Sequence, residues 1–345
     1  MASRLLRLMR HRRPRVVVAI ILLFGLASVS GLLGLYHAVS RPASLPAQER
    51  TVVIPRGASL PTIAQRLAED GLVRSPWLFR LAARVAGAAT KLQAGEYRLS
   101  TGMSPRELTR LLVEGRTVEV SVTIPEGLTV REAAKILEEA GLAEADTVER
   151  LASDPSFASS LGIDASTLEG YLHPETYRFR KGADARTIVT SMVAGTMSIF
   201  DRQATELAAG MGLTIHEVLT LASIVEKETG IPEERPRIAA VFLNRLQRTM
   251  PLQADPTIIY ALGRRFDGNL TRAHLDLDSP YNTYLHSGLP PTPIANPGRA
   301  SIEAVLRPAD VEDLYFVAKP DRSHHFSATL RDHERAVRRY QRRGR

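Results

Sequence analysis

The sequence predicts an α+β protein carried on a single N-terminal transmembrane helix. Three observations lead there. A 25-residue stretch, Val16 to Ser40, contains no Asp, Glu, Lys or Arg. A strand–turn–helix pattern recurs later at an offset of 70 residues, Ile54-Pro55-Arg56-Gly57 returning as Ile124-Pro125-Glu126-Gly127. Beyond residue 200 helix-start signals alternate with a Pro-rich loop and a closing hairpin pattern. With 345 residues and 44% hydrophobic content, the chain can bury cores for two or three domains.

Charge locates the ends. The formal net charge is +8, but residues 1–15 carry six arginines and no acid, and residues 331–345 carry seven arginines against two acids. The intervening 315 residues are left near −3, so a basic, nucleic-acid-binding folded face is not expected. There is no cysteine, hence neither a disulfide nor a thiolate metal site.

Residues 1–15 are expected to be a cytoplasmic basic segment and 16–36 the transmembrane helix, about 30 Å long. Arg4, Arg7, Arg10, Arg12, Arg13 and Arg15 crowd one side, and Arg41 is the first basic residue beyond. The positive-inside rule then keeps the N-terminus in the cytoplasm and sends the rest outward. Ala38-Val39-Ser40 weakly resembles a signal-peptide cleavage site, but the apolar run exceeds an ordinary h-region, which favours a retained anchor. Residues 37–50, with Pro42 and Pro46, read as a linker.

The duplicated module spans 51–118 and again 119–200, the second copy merging into the region beyond residue 200. Leu67-Ala68-Glu69-Asp70-Gly71-Leu72 matches Leu137-Glu138-Glu139-Ala140-Gly141-Leu142, and Tyr97 parallels Tyr177 at an offset of 80. Each copy reads as strand, Pro-Gly turn, amphipathic helix, then a later strand and helix. The first copy has Trp77 and Phe79 but no catalytic cluster, and resembles the small LysM-like modules that lie along cell-wall glycan; a spacer lobe is the alternative. In the second copy Glu169 reads either as a capping or paired surface acid or as a second acid facing a cleft.

The region 201–345 is organised around residues 213–230. Thr214 with Glu217 forms a capping box, and Gly230 is placed to end the helix. At 100° per residue, Ile215, Val218, Leu219, Ala222, Val225 and Thr229 share an arc with Glu226 at its centre, while Glu228 falls opposite, near Glu217. A carboxyl among apolar side chains has its ionised form disfavoured and suits a general acid near neutral pH. A second helix is expected from about Pro232, with Arg245 near its apolar face as a partner for a carboxylate. Leu252-Gln253-Ala254-Asp255-Pro256-Thr257 leads into another helix. Residues 279–298 read as a stiff loop suited to lining a groove. The segments around Leu314 and His324 read as a hairpin before an Arg-rich helix, and His324 and His325 lack a third ligand at metal-site spacing.

Five ordered motifs carry a resemblance: Ala222-Ser223-Ile224-Val225-Glu226-Lys227-Glu228-Thr229; Val241-Phe242-Leu243-Asn244-Arg245-Leu246; Leu252 to Thr257; Tyr281-Asn282-Thr283-Tyr284 with Gly288-Leu289-Pro290-Pro291; and Leu314-Tyr315-Phe316-Val317-Ala318. Over about residues 50–340 the chain resembles the YceG-like endolytic murein transglycosylases. The resemblance implies a YceG-like catalytic domain after a LysM-like lobe, on the periplasmic side of the cytoplasmic membrane. It implies internal cutting of nascent peptidoglycan strands near the peptidoglycan synthases, with Glu226 as catalytic residue.

A single acid suits this chemistry. In lytic transglycosylation the nucleophile is the tethered C6 hydroxyl of muramic acid, so one carboxyl can protonate the glycosidic oxygen and then accept the hydroxyl proton. No metal or organic cofactor is needed. Gln253, Tyr281, Asn282, Thr283 and Asn296 are candidates for gripping sugars, or else turn and cap residues; Asp255, Glu169 and Arg245 complete the expected site. The rivals are a hydrolytic muramidase, with Asp255 or Glu169 as second carboxylate, and a non-enzymatic wall-binding scaffold.

Overall fold

The computed structural model describes residues 2–44 and 46–341, with side chains described from residue 20 onward. The side chains of the six leading arginines and the last four residues, on which the basic-end expectations fall, lie outside the described part. Helix α1 (Ala2–Ser40) is continuous. Its segment Ile20–Ser40, 21 residues of mean hydropathy 1.8 with nothing buried, is long and apolar enough to cross a membrane.

The chain divides into two compact units: residues 1–119 with 180–182, and residues 120–179 with 183–345. The first holds β1 (Glu49–Ile54), α2 (Leu60–Glu69), α3 (Pro76–Val85), β2 (Gly95–Ser100) and α4 (Pro105–Glu114). β1 and β2 pair antiparallel, Glu49 opposite Ser100 and Ile54 opposite Gly95. Alternation turns Val52, Ile54, Tyr97 and Leu99 inward, against Leu67, Phe79, Leu108 and Leu112.

The same order returns as β3 (Glu119–Thr123), α5 (Val130–Glu139), α6 (Ala145–Ala152), α7 (Pro155–Ser160), β4 (Thr176–Arg180) and α8 (Ala185–Met197). Details repeat as well. Ser59 caps α2 and Thr129 caps α5, each through its hydroxyl. Tyr97 Oη donates to the Gln93 carbonyl and Tyr177 Oη to the His173 carbonyl, both at 2.7 Å. Gly57 and Gly127 hold φ of +72° and +75°, a left-handed conformation that side chains resist. Both copies also carry helices between the turn helix and the second strand (α3; α6 and α7) that the repeat pattern did not announce.

The rest of the second unit is mainly helical: α9 (Arg202–Gly210), α10 (Ile215–Glu228), α11 (Arg235–Gln247) after a 3-10 turn at Pro232–Glu234, α12 (Asp255–Leu262), α13 (Arg272–Leu275) and α14 (Arg299–Leu306). β5 (Tyr315–Ala318) and β6 (His324–Ser327) form an antiparallel hairpin before α15 (Leu330–Tyr340). Helix α10 is the axis of this unit, packed by α14, α11, α12 and α9. Every residue from Val218 to Val225 is buried, so the helix is enclosed all round rather than on one arc. It ends at Glu228 because Thr229 turns extended (φ −141°); Gly230 is not its left-handed stop.

Candidate active site

Glu226 occupies the last turn of α10, its side chain only 7% exposed. The apolar surroundings expected for its carboxyl are not what the fold provides. Gly298 N–H donates to Oε2 at 3.0 Å and Ser301 Oγ–H to the same oxygen at 2.7 Å. Arg235 Nη2, from the first residue of α11, donates to Oε1 at 3.3 Å. The wheel placed Glu226 toward the interior correctly. What fills the interior there is the polar N-terminus of α14 and one guanidinium.

A second carboxyl stands at the same place. Glu126, in the turn after β3, lies with Oε2 3.9 Å from Arg235 Nη2, its side chain half exposed. Burial and the charge of Glu226 push its carboxyl upward in pKa, with Arg235 opposing. The contact is tight, since a Cβ on Gly298 would collide with the Glu126 carboxylate. Lys227 Nζ holds the carbonyl of the neighbouring Gly127 at 3.1 Å. The turn is tied down further by Gly127 N–H donating to the Asn296 carbonyl at 2.9 Å.

Glu228 is not on an open face. It is half-buried, with its carboxyl enclosed near Asp255 and Arg245, and burial first, then the Asp255 charge, pushes it up to about 8. Because α10 is surrounded, the side opposite Glu226 also meets protein. Asp255, exposed at the start of α12, accepts a 2.5 Å bond from Tyr284 Oη. Arg245 is buried and serves backbone carbonyls instead of a carboxylate hydrogen bond: Nε to Leu314 at 2.7 Å, Nη1 to Leu252 at 2.7 Å and to Pro251 at 3.4 Å.

The sugar-gripping candidates separate by exposure. Gln253 is exposed at a left-handed φ of +51°, an uncommon and costly conformation for a non-glycine residue. Tyr281 is half-buried, its hydroxyl 2.7 Å from Thr292 Oγ1 and its ring 5.0 Å from that of Tyr260. Asn282, Thr283 and Asn296 are buried with their polar groups engaged inside the protein. Asn282 Nδ2 donates to the Leu275 and Leu277 carbonyls, and its Oδ1 accepts from Tyr284 N–H. Thr283 Oγ1 accepts from Ala254 N–H. Asn296 Oδ1 accepts from Leu172 N–H at 2.9 Å and Nδ2 donates to Leu128 O at 2.8 Å.

Glu169 is buried too. Its carboxylate accepts Val130 N–H at 2.9 Å at the start of α5 and Tyr260 Oη at 3.2 Å, while burial pushes it up to about 7. It caps α5, as one reading of its sequence allowed, but from the interior and not as a surface acid. Among the described residues no three His, Cys, Asp or Glu side chains gather as a metal-holding group.

Sequence reasoning missed Glu126, Arg235, Gly298 and Ser301. One signal was there: the repeated Ile-Pro-x-Gly turn carries Arg56 in the first copy and Glu126 in the second.

The YceG-like family pattern matches residues 52–339, most of the chain. The chain belongs to the YceG-like family. Its relatives include the endolytic murein transglycosylase of Bacillus subtilis strain 168, 34% identical over 83% of each chain. The endolytic murein transglycosylase of Streptococcus pneumoniae strain D39 is 31% identical over 93% of this chain, which spans 64% of that protein's length. A crystal structure of a yceG-like protein from Listeria monocytogenes, 35% identical, superposes with a TM-score of 0.56, covering 84% of this chain and 99% of that one.

Proposed function

We propose that this YceG-like protein is an endolytic peptidoglycan lytic transglycosylase, cleaving the MurNAc–GlcNAc bond within glycan strands to leave 1,6-anhydro-MurNAc ends. The observation that carries the reading is Glu226: a nearly buried carboxyl on the central helix of the catalytic unit, in a chain related to endolytic murein transglycosylases, with three donors converging on it.

In the mechanism, protonated Glu226 gives its proton to the glycosidic oxygen and the bond to the anomeric carbon breaks. The resulting carboxylate is received by Arg235, Gly298 N–H and Ser301, the last two held in place at the start of α14. It then accepts the proton of the C6 hydroxyl as that oxygen closes on the anomeric carbon. Gln253, Tyr281 and Asp255 are the expected residues with exposed or half-exposed groups to meet sugars. Asn282, Thr283, Asn296, Glu169 and Arg245 hold the surrounding backbone.

α1 is the retained anchor, N-terminus in the cytoplasm and both units outside the cytoplasmic membrane, near the peptidoglycan synthases. The first unit is a LysM-like module, its strand–helix–helix–strand order supporting that reading. A second reading, hydrolysis by a muramidase, is favoured by the carboxylate pair Glu226 and Glu126. Mass spectrometry of glycan strands digested by the full chain, wild type beside Glu226→Gln, separates the readings. Anhydro ends lost in the variant support the transglycosylase, reducing ends mean a hydrolase, and no cleavage by wild type leaves a wall-binding protein.

A further inference from the structure

The transglycosylase mechanism demands that Glu226 carry a proton before it acts. Three donors, one of them cationic, converge on its two oxygens. Something must hold Arg235 while Glu226 is protonated. Arg235 is 11% exposed and its Nε is buried without any hydrogen-bond partner. A buried guanidinium so poorly engaged cannot be left with no anion.

We propose that Glu126 is the second carboxyl of this site, a positioning residue that shares the Arg235 guanidinium with Glu226 and takes over its charge whenever Glu226 is protonated. The inference rests on the transglycosylase reading and adds to it a shared counter-ion. At rest one proton serves two carboxyls: Glu226 holds it and Glu126 pairs with Arg235. When Glu226 passes its proton to the glycosidic oxygen and the leaving sugar departs with the bonding pair, Arg235 closes onto the new carboxylate, the arrangement seen at 3.3 Å against 3.9 Å to Glu126. When the C6 hydroxyl proton returns to Glu226, Arg235 relaxes toward Glu126. No water, metal or redox partner enters the balance.

The geometry suits a movable pair. Glu126 is half exposed and has freedom that Glu226 lacks, while Gly298, which donates to Glu226, is the surface on which the Glu126 carboxylate rests. The charged groups acting on Glu126 are Glu226 and Arg235, and Lys227 bonds the carbonyl of the next residue, Gly127. Burial and Glu226 push Glu126 upward, as expected of two carboxyls that cannot comfortably both ionise. The matching position of the first copy, Arg56, has the opposite charge, so the turn itself does not require an acid there.

The test is the pH–rate profile of anhydro-end formation by the full-length protein in detergent, wild type beside Glu126→Gln and Glu126→Asp. With Glu126 neutral, Arg235 has only Glu226 to pair with and the proton is lost earlier. The alkaline limb should move to lower pH by about one unit or more, costing about tenfold at neutral pH, with the rate recovering toward wild type on acidification. Glu126→Asp, keeping the charge, should restore most of the limb. An unchanged profile, or an equal fall at every pH, overturns the proposal. Should Glu126→Gln fail to fold, Arg235→Lys, which keeps the charge but not the fork, carries the same test through the position of the limb. If Glu226→Gln still cleaves, the transglycosylase assignment of Glu226 fails first; if it is dead while Glu126→Gln behaves as wild type, only the shared counter-ion fails.

Discussion

Ser301 Oγ lies 2.7 Å from Glu226 Oε2, although 75 residues of chain separate them. The bond joins the last turn of α10 to the first turn of α14, and Gly298 N–H, the cap of α14, meets the same oxygen. Glu226→Gln should abolish cleavage with the thermal midpoint little changed. Ser301→Ala should slow turnover about ten- to a hundredfold, the worth of one hydrogen bond to a charged group, with a smaller effect on KM. Steady-state kinetics on purified strands checks both. A wild-type rate in Ser301→Ala would show that this oxygen does not carry the developing charge.

Glu228 yields a stability prediction of definite sign. An unfolded glutamate ionises near 4.5, whereas the folded one keeps its proton up to about 8. Between these values the native state binds more protons, so stability is greatest below pH 4.5 and declines until the group ionises near 8. Glu169, pushed up to about 7, acts in the same direction. Glu228→Gln should therefore match wild type at pH 4 and exceed it at pH 8.5, by on the order of 2–4 kcal/mol. Denaturant melts at the two pH values measure it. A gap that shrinks with rising pH would contradict the enclosed carboxyl.

The sequence made much of this architecture legible because the signals were local. The capping box at Thr214 and Glu217 forms as written, each side chain reaching the other's backbone N–H. The hairpin at Tyr315 and the inward direction of Glu226 were equally readable. What failed was non-local. A wheel assumes one buried arc, and α10 is buried on every side, so Glu228 could not be placed by angle alone. Helix α14 was invisible: it has eight residues and Gly298 for a cap, with no Ser, Thr or Asp side chain to announce it. Glu126 looked like a turn residue because its partner Arg235 is far along the chain.

Asn296 separates a scaffold role from a sugar-binding one. It ties three segments by accepting from Leu172 and donating to Leu128, while its own carbonyl takes Gly127 N–H. Asn296→Ala should cost about 2–4 kcal/mol of stability by leaving buried backbone groups unpaired. Because Gly127 follows Glu126, the activity that survives should show a lower rate more than a weaker KM. A raised KM with unchanged stability would instead make the residue a sugar ligand.

Helix α1 is long and apolar enough to be tested as an anchor. α1 offers a 21-residue, predominantly apolar segment with none of its apolar window buried, long enough for one crossing. The six arginines precede this segment and only Arg41 follows closely, so the positive-inside rule predicts an N-terminus in the cytoplasm. A reporter fused after residue 345 should be active only when it requires export, and reversing the bias by replacing the leading arginines with glutamine should reduce that signal. The protein should sediment with membranes and resist salt extraction, since a spanning helix is held by apolar burial rather than by charge. Recovery of soluble protein beginning near residue 41 would mean instead that Ala38-Val39-Ser40 is cut and that α1 is a leader. In that case the catalytic unit would act free of the membrane, and its reach over the wall would no longer be limited by the linker.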